Sequence, residues 1–123
     1  MRPRAVLFTL ALAASVTTAA LAVLHARLVR AEPGIDGTVT SAPTAVRLWF
    51  NEPVSPRLTT AILLTADSIP VDTVAFAATD ERASVVGPVT ATLRPGSYRV
   101  QWRTVSQDGH PIRGEYRFQY RAP

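Results

Sequence analysis

Near the carboxy end, two segments alternate in character residue by residue. In Ser97–Val105, Tyr98, Val100, Trp102 and Thr104 are separated by Arg99, Gln101 and Arg103. In Glu115–Arg121, Tyr116, Phe118 and Tyr120 are separated by Glu115, Arg117, Gln119 and Arg121. A repeat of two places one set of side chains on each face of a strand, so aromatic and β-branched residues face a core and arginines face water. Val46, Leu48 and Phe50 alternate in the same way with Arg47, Trp49 and Asn51. Less regular strands are expected in 26–31, 59–66, 70–76 and 83–89, and 59–66 lacks clean alternation. Pro33-Gly34, Pro53 to Pro56, Pro95-Gly96 and Asp108-Gly109 supply the turns. The ten prolines argue against long helices. Together these signs predict an all-β, Ig-like Greek-key sandwich of about seven antiparallel strands.

The chain has 123 residues, enough for one domain. It has no Cys, which excludes disulfides, thiolate metal sites and Cys nucleophiles, so apolar burial alone must hold the fold. Hydrophobic residues make up 47% and charged residues 18%, a globular balance.

Met1-Arg2-Pro3-Arg4 precedes twenty uncharged residues, Ala5 to Leu24, rich in Ala, Leu and Val. Arginines followed by an apolar run broken by Ser15, Thr17 and Thr18 predict a signal peptide over 1–24, an uncleaved anchor being the alternative. Export leaves residues 25–123 as the domain, in the periplasm or outside the cell. Without Arg2 and Arg4 the formal charge of +4 falls to +2, so the exported part is only mildly basic. Ala20-Leu21-Ala22 favours cleavage before Val23. Cleavage before His25 instead leaves that residue at the terminus.

The chain has only two histidines. His25 lies where the leader meets the domain. His110 lies in Ser106-Gln107-Asp108-Gly109-His110-Pro111, between the two best strands. A turn there can aim Asp108 and His110 to one side, which is half of a transition-metal site. Asp-Gly between alternating runs is equally a hairpin signal, with His110 a loop residue.

The run Leu93-Arg94-Pro95-Gly96-Ser97-Tyr98-Arg99-Val100-Gln101-Trp102-Arg103-Thr104-Val105-Ser106-Gln107-Asp108-Gly109-His110-Pro111, with Gly114-Glu115-Tyr116-Arg117-Phe118, resembles the carboxy-terminal half of the CopC copper-binding domains. His25-Ala26-Arg27-Leu28, Pro33 and Val46 to Val54 resemble the amino-terminal half, and 59–88 matches loosely. The resemblance implies an exported protein that binds one Cu(II) ion. Its ligands would be His25, through imidazole and freed α-amine, with Asp108 and His110; Glu52 would support them or bind weakly. Three nitrogens and one oxygen suit the tetragonal preference of Cu(II). Cleavage before Val23 would instead make Val23-Leu24-His25 a chelate by itself. Met1 is the only methionine, so no Cu(I) methionine site is expected.

The resemblance also implies copper sequestration, or delivery to a membrane copper transporter, by a monomer that is not an enzyme. Two other readings compete with it. A copper monooxygenase built on a histidine brace would use both histidines, but Asp108 would disfavour the reduced metal. A metal-free Ig-like interaction module would use Arg99, Arg103, Arg113, Arg117 and Arg121 as a basic face. Nucleic acid is not an expected partner of an exported protein.

Overall fold

A computed structural model describes residues 25–123. The segment 1–24, with its expected signal peptide or anchor, lies outside the described residues. Among the described residues there are nine strands: β1 (Leu28–Glu32), β2 (Gly37–Val39), β3 (Ala45–Phe50), β4 (Thr60–Thr65), β5 (Pro70–Ala75), β6 (Ala77–Ala78), β7 (Ser84–Pro88), β8 (Gly96–Val105) and β9 (Pro111–Tyr120). One 3₁₀ turn, Pro56–Leu58, precedes β4. Among the described residues no helix is long and apolar enough to cross a membrane.

The strands form two sheets, ordered β1-β3-β7-β6 and β2-β9-β8-β4-β5. Their facing sides share one core, in which Val46, Leu48, Leu63, Val74, Val85, Val100 and Phe118 are at most 1% exposed. This is an Ig-like sandwich. Tyr98 reinforces it near the start of β8 by donating its hydroxyl to the Arg94 carbonyl at 2.5 Å, and its ring stacks on Phe118. Such a tyrosine tied back to the preceding loop is a recurrent feature of these sandwiches.

The expected sandwich of about seven antiparallel strands is present, with nine strands in all and one parallel pair among the antiparallel ones. The additional strands are β2 and β6, three and two residues long, too short for alternation to register. β2 lies parallel to β9, with Gly37 opposite Phe118 and Val39 opposite Tyr120. β4 lacks clean alternation because its pairing with β5 shifts between Leu63 and Leu64, and both of these side chains are buried.

Trp49 points outward as its position in β3 dictates, yet it is only 9% exposed. The guanidinium groups of Arg30 and Arg47 lie 4.2 and 4.8 Å from its ring centre, and its Nε1–H donates to Glu81 Oε2 at 2.6 Å. Cation–π contacts of this kind cover an outward aromatic without a second apolar layer.

Tyr116 also departs from the usual pattern. It is 5% exposed, and among the described residues its buried hydroxyl has no hydrogen-bond partner. Burial pushes its pKa well above the ordinary tyrosine value. Tyr116→Phe removes an unpartnered polar group while keeping the ring, so stability is expected to stay level or rise by up to about 1 kcal/mol. Urea denaturation checks this, and a loss above about 1 kcal/mol would contradict it.

Candidate metal centre

β8 and β9 pair in register from Gly96↔Tyr120 to Val105↔Pro111. The three-residue loop Gln107-Asp108-Gly109 then reverses the chain. Gly109 N–H donates to the Ser106 carbonyl at 2.9 Å, and Ser106 N–H donates to the His110 carbonyl at 2.9 Å. Gly109 has φ +86°, a left-handed conformation that glycine adopts without steric cost. Asp108-Gly109 is therefore a hairpin turn, and the same turn brings Asp108 back toward His110.

Three donors from this loop converge on the Asp108 carboxylate. The Ser106 hydroxyl donates to Oδ1, the His110 backbone N–H reaches the same oxygen at 3.1 Å, and His110 Nδ1 lies 2.8 Å from Oδ2. The Ser106 hydroxyl first, then the His110 contacts, hold this carboxyl far below the usual carboxylate range. Asp108 thus stays anionic wherever a metal could compete with protons for the neighbouring rings.

His25 reaches the loop from the other sheet. The next residue, Ala26, is 1% exposed and packs into the core. Arg27 N–H donates to Asn51 Oδ1 at 2.6 Å, and Asn51 N–H returns to the Arg27 carbonyl at 3.0 Å. Core burial of Ala26 and the two Arg27–Asn51 bonds fix the chain immediately after His25 and hold that residue beside the β8–β9 loop. His25 Nδ1 lies 3.7 Å from Asp108 Oδ2, and the two imidazoles meet edge to face with centroids 5.4 Å apart.

His25, Asp108 and His110 each offer a ligand atom, all within 4.8 Å of one another, and all three are exposed to solvent. Two imidazoles and a carboxylate at this spacing can close on one first-row ion of tetragonal preference. Glu52 stands apart from the cluster. Its Oε1 accepts the Gln107 backbone N–H at 3.1 Å, bracing the loop that carries Asp108. Ser106 and Asn51 complete the support, and neither had an assigned role in the sequence. The signal for Ser106 was its place two residues before Asp108, where a hydroxyl can bond a local carboxylate.

The β-sandwich and this exposed cluster define a metal-binding domain. The chain belongs to the CopC family: the CopC domain profile matches residues 28–121. Copper resistance protein C of Xanthomonas campestris pv. juglandis is 33% identical over 122 residues, covering 94% of this chain and 94% of that protein. The crystal structure of CopC from Methylosinus trichosporium OB3b matches with a TM-score of 0.71 at 29% identity, covering 80% of this chain and 95% of that one. PcoC of Escherichia coli, described as a methionine-rich copper resistance protein, matches with a TM-score of 0.68 at 32% identity, covering 80% of this chain and 100% of that one. Copper transport protein CutJ of Bacillus subtilis is 32% identical over 91 residues, covering 73% of this chain but 17% of that protein.

Glu52→Ala removes the brace from the loop without touching the cluster. It is expected to weaken copper binding by about tenfold, the scale of a lost supporting contact, with little change in stability. Competition titration against a chelator of known affinity measures this, and wild-type affinity in the variant would mean that the loop holds itself.

Proposed function

We propose that this protein is exported and holds one Cu(II) ion between its amino-terminal residue and the β8–β9 hairpin. Family membership makes it a copper-binding protein of copper homeostasis and not an enzyme. His25, Asp108 and His110 are the proposed ligands, with the α-amine of His25 as a fourth donor if the leader is removed before that residue. The observation that carries the reading is the convergence of the three side chains from two sheets within 4.8 Å. Three nitrogens and one oxygen match the square arrangement of Cu(II). The chain has no Cys, and its only Met is Met1, so it offers no soft donor set for Cu(I) in the exported domain.

In this reading Asp108 Oδ2, which faces both histidine rings, turns from hydrogen-bond acceptor to ligand, and the ion replaces the proton between Asp108 and His110. Delivery to a membrane copper transporter is the proposed fate of the ion. A domain of this kind makes up 17% of a protein named for copper transport, which supports that fate. Titration of the exported protein with Cu(II), followed by electron paramagnetic resonance, should show one equivalent with a tetragonal, nitrogen-rich signal. No signal below two equivalents, or a signal with oxygen donors only, would contradict the proposal.

Metal ligands must be deprotonated, so affinity falls as acid protonates them. Because Asp108 is held anionic, protons compete with the metal at the nitrogen donors and not at the carboxylate. Binding at pH 5 is therefore expected to be at least about 100-fold weaker than at pH 7.5. Competition titrations at the two pH values test this, and equal affinities would remove imidazole from the site.

A further inference from the structure

The outer face of the five-stranded sheet carries an arrangement unrelated to the copper cluster. Arg99 lies directly opposite Arg117, and Arg103 directly opposite Arg113, with the Gln101↔Glu115 rung between the two pairs. Like charges placed opposite one another across strands are destabilising unless something else uses them. Glu115 is committed inward on this face, accepting from Arg99 at 3.2 Å and from Gln101 at 2.9 Å. Among the described residues, Arg103, Arg113 and Arg117 have no carboxylate within 4.0 Å.

The charge is segregated. Residues 25–123 carry +2 in total, eleven arginines against nine acidic residues. These two rungs, with Glu115 and Asp36 of the same face, carry all of that +2, so the rest of the domain is neutral. The face is also grooved. One groove runs past Thr60, Ile62, Gln101, Arg103, Arg113 and Glu115, and another past Asp36, Thr38, Ser68, Ser97, Arg99 and Arg117. Each groove contains one arginine pair, and the Gln101↔Glu115 rung forms part of the first. Ile62, 41% exposed, adds apolar surface to the first. The arginine rungs are four residues apart along a strand, about 13 Å at ~3.3 Å per residue.

We propose that this face docks an extended acidic segment of a partner protein, lying along β8 and β9 with carboxylates lodged in the two grooves. Arginine forks match carboxylates in a bidentate manner, and an extended segment with carboxylates four residues apart matches two sites about 13 Å apart at the rung spacing just given. The groove around Arg103 and Arg113 lies two residues from the last rung before the copper loop, so a segment docked there ends beside His110. The inference does not depend on the identity of the metal.

The probe is a fluorescein-labelled ten-residue peptide alternating glutamate with threonine, titrated against the exported protein at low ionic strength and followed by anisotropy. The wild type is expected to bind it. A variant with Arg103→Gln, Arg113→Gln and Arg117→Gln is expected to bind at least about tenfold more weakly. A control with Arg57→Gln, Arg82→Gln and Arg94→Gln, three exposed arginines elsewhere with the same change in net charge, is expected to stay within about twofold. Unaltered copper stoichiometry in both variants verifies the fold. No binding by the wild type, or equal weakening in both variants, would overturn the proposal. Binding to phosphatidylglycerol vesicles but not to the peptide would also overturn it, in favour of a lipid surface.

Discussion

Replacing His110 with alanine is expected to weaken Cu(II) binding by at least about 100-fold while leaving the fold unchanged. Changes in groups that merely support a ligand already cost about 10–100-fold in metal affinity, so loss of a ligand should cost no less. The fold is insulated because the His110 side chain is 64% exposed, while the contacts that close the hairpin use its backbone. Asp108 would also lose its ring partner but keep the Ser106 hydroxyl and the His110 N–H. Chelator competition on the two proteins gives the ratio, and matched circular dichroism shows that the comparison is fair. An affinity within about threefold of wild type would place the metal elsewhere, the leading rival being a chelate made by Val23-Leu24-His25 alone.

The largest expected effect on stability lies far from the metal. Gly87 in β7 is buried, and a Cβ there would sit 2.5 Å from Val74 Cγ1 and closer still to the Ala75 carbonyl oxygen. The obstruction is mainly backbone, and it lies where β7 of one sheet passes the end of β5 of the other. The backbone of Ala75 is itself held by pairing with Thr60, so it cannot simply swing aside. Gly87→Ala is therefore expected to cost about 3 kcal/mol, the upper part of the range for overpacked cores, and Gly87→Val more. For a domain of this size that lowers the melting temperature by about 12 °C or more. Thermal denaturation followed by circular dichroism measures it. A Gly87→Ala variant melting within about 2 °C of wild type would mean the sheets can separate at this crossing at little cost.

Gly114 shows the same device near the metal hairpin. It lies opposite Trp102, and a Cβ there would come 2.6 Å from Trp102 Cε2. The bare backbone at Gly114 lets the indole lie across β9 and meet Phe50 of the other sheet edge to face at 5.3 Å.

These two glycines mark the limit of what alternation reveals. β8 and the second half of β9 were legible because aromatic residues on one side and arginines on the other repeat without interruption. The first half of β9 was not, because Pro111, Ile112 and Gly114 break the pattern, and the strand begins at Pro111 rather than near Glu115. No local pattern announces that β2 will pair in parallel with a strand some eighty residues away. Trp49 alternates with the core residues of β3, but its burial comes from Arg30 and Arg47, which only the folded arrangement brings over the ring.

The candidate site divides in the same way. Asp108 and His110 are two residues apart across a glycine, so the turn that joins them is a local matter. His25 lies more than eighty residues from them, and no spacing rule connects it to the hairpin. Its proximity depends on Ala26 entering the core and on Asn51 fixing Arg27, contacts just before β1 and just after β3 that nothing in the alternation specifies. Only the family resemblance joined His25 to the loop. The role of Glu52 was legible as proximity but not as chemistry: its carboxylate serves the Gln107 amide.

The most direct measurement is anomalous diffraction at the copper edge from crystals of the exported, Cu(II)-loaded protein. The account predicts one peak at bonding distance from a ring nitrogen of His25, a ring nitrogen of His110 and an Asp108 oxygen. A peak that touches His25 and preceding backbone amides but neither Asp108 nor His110 would contradict it.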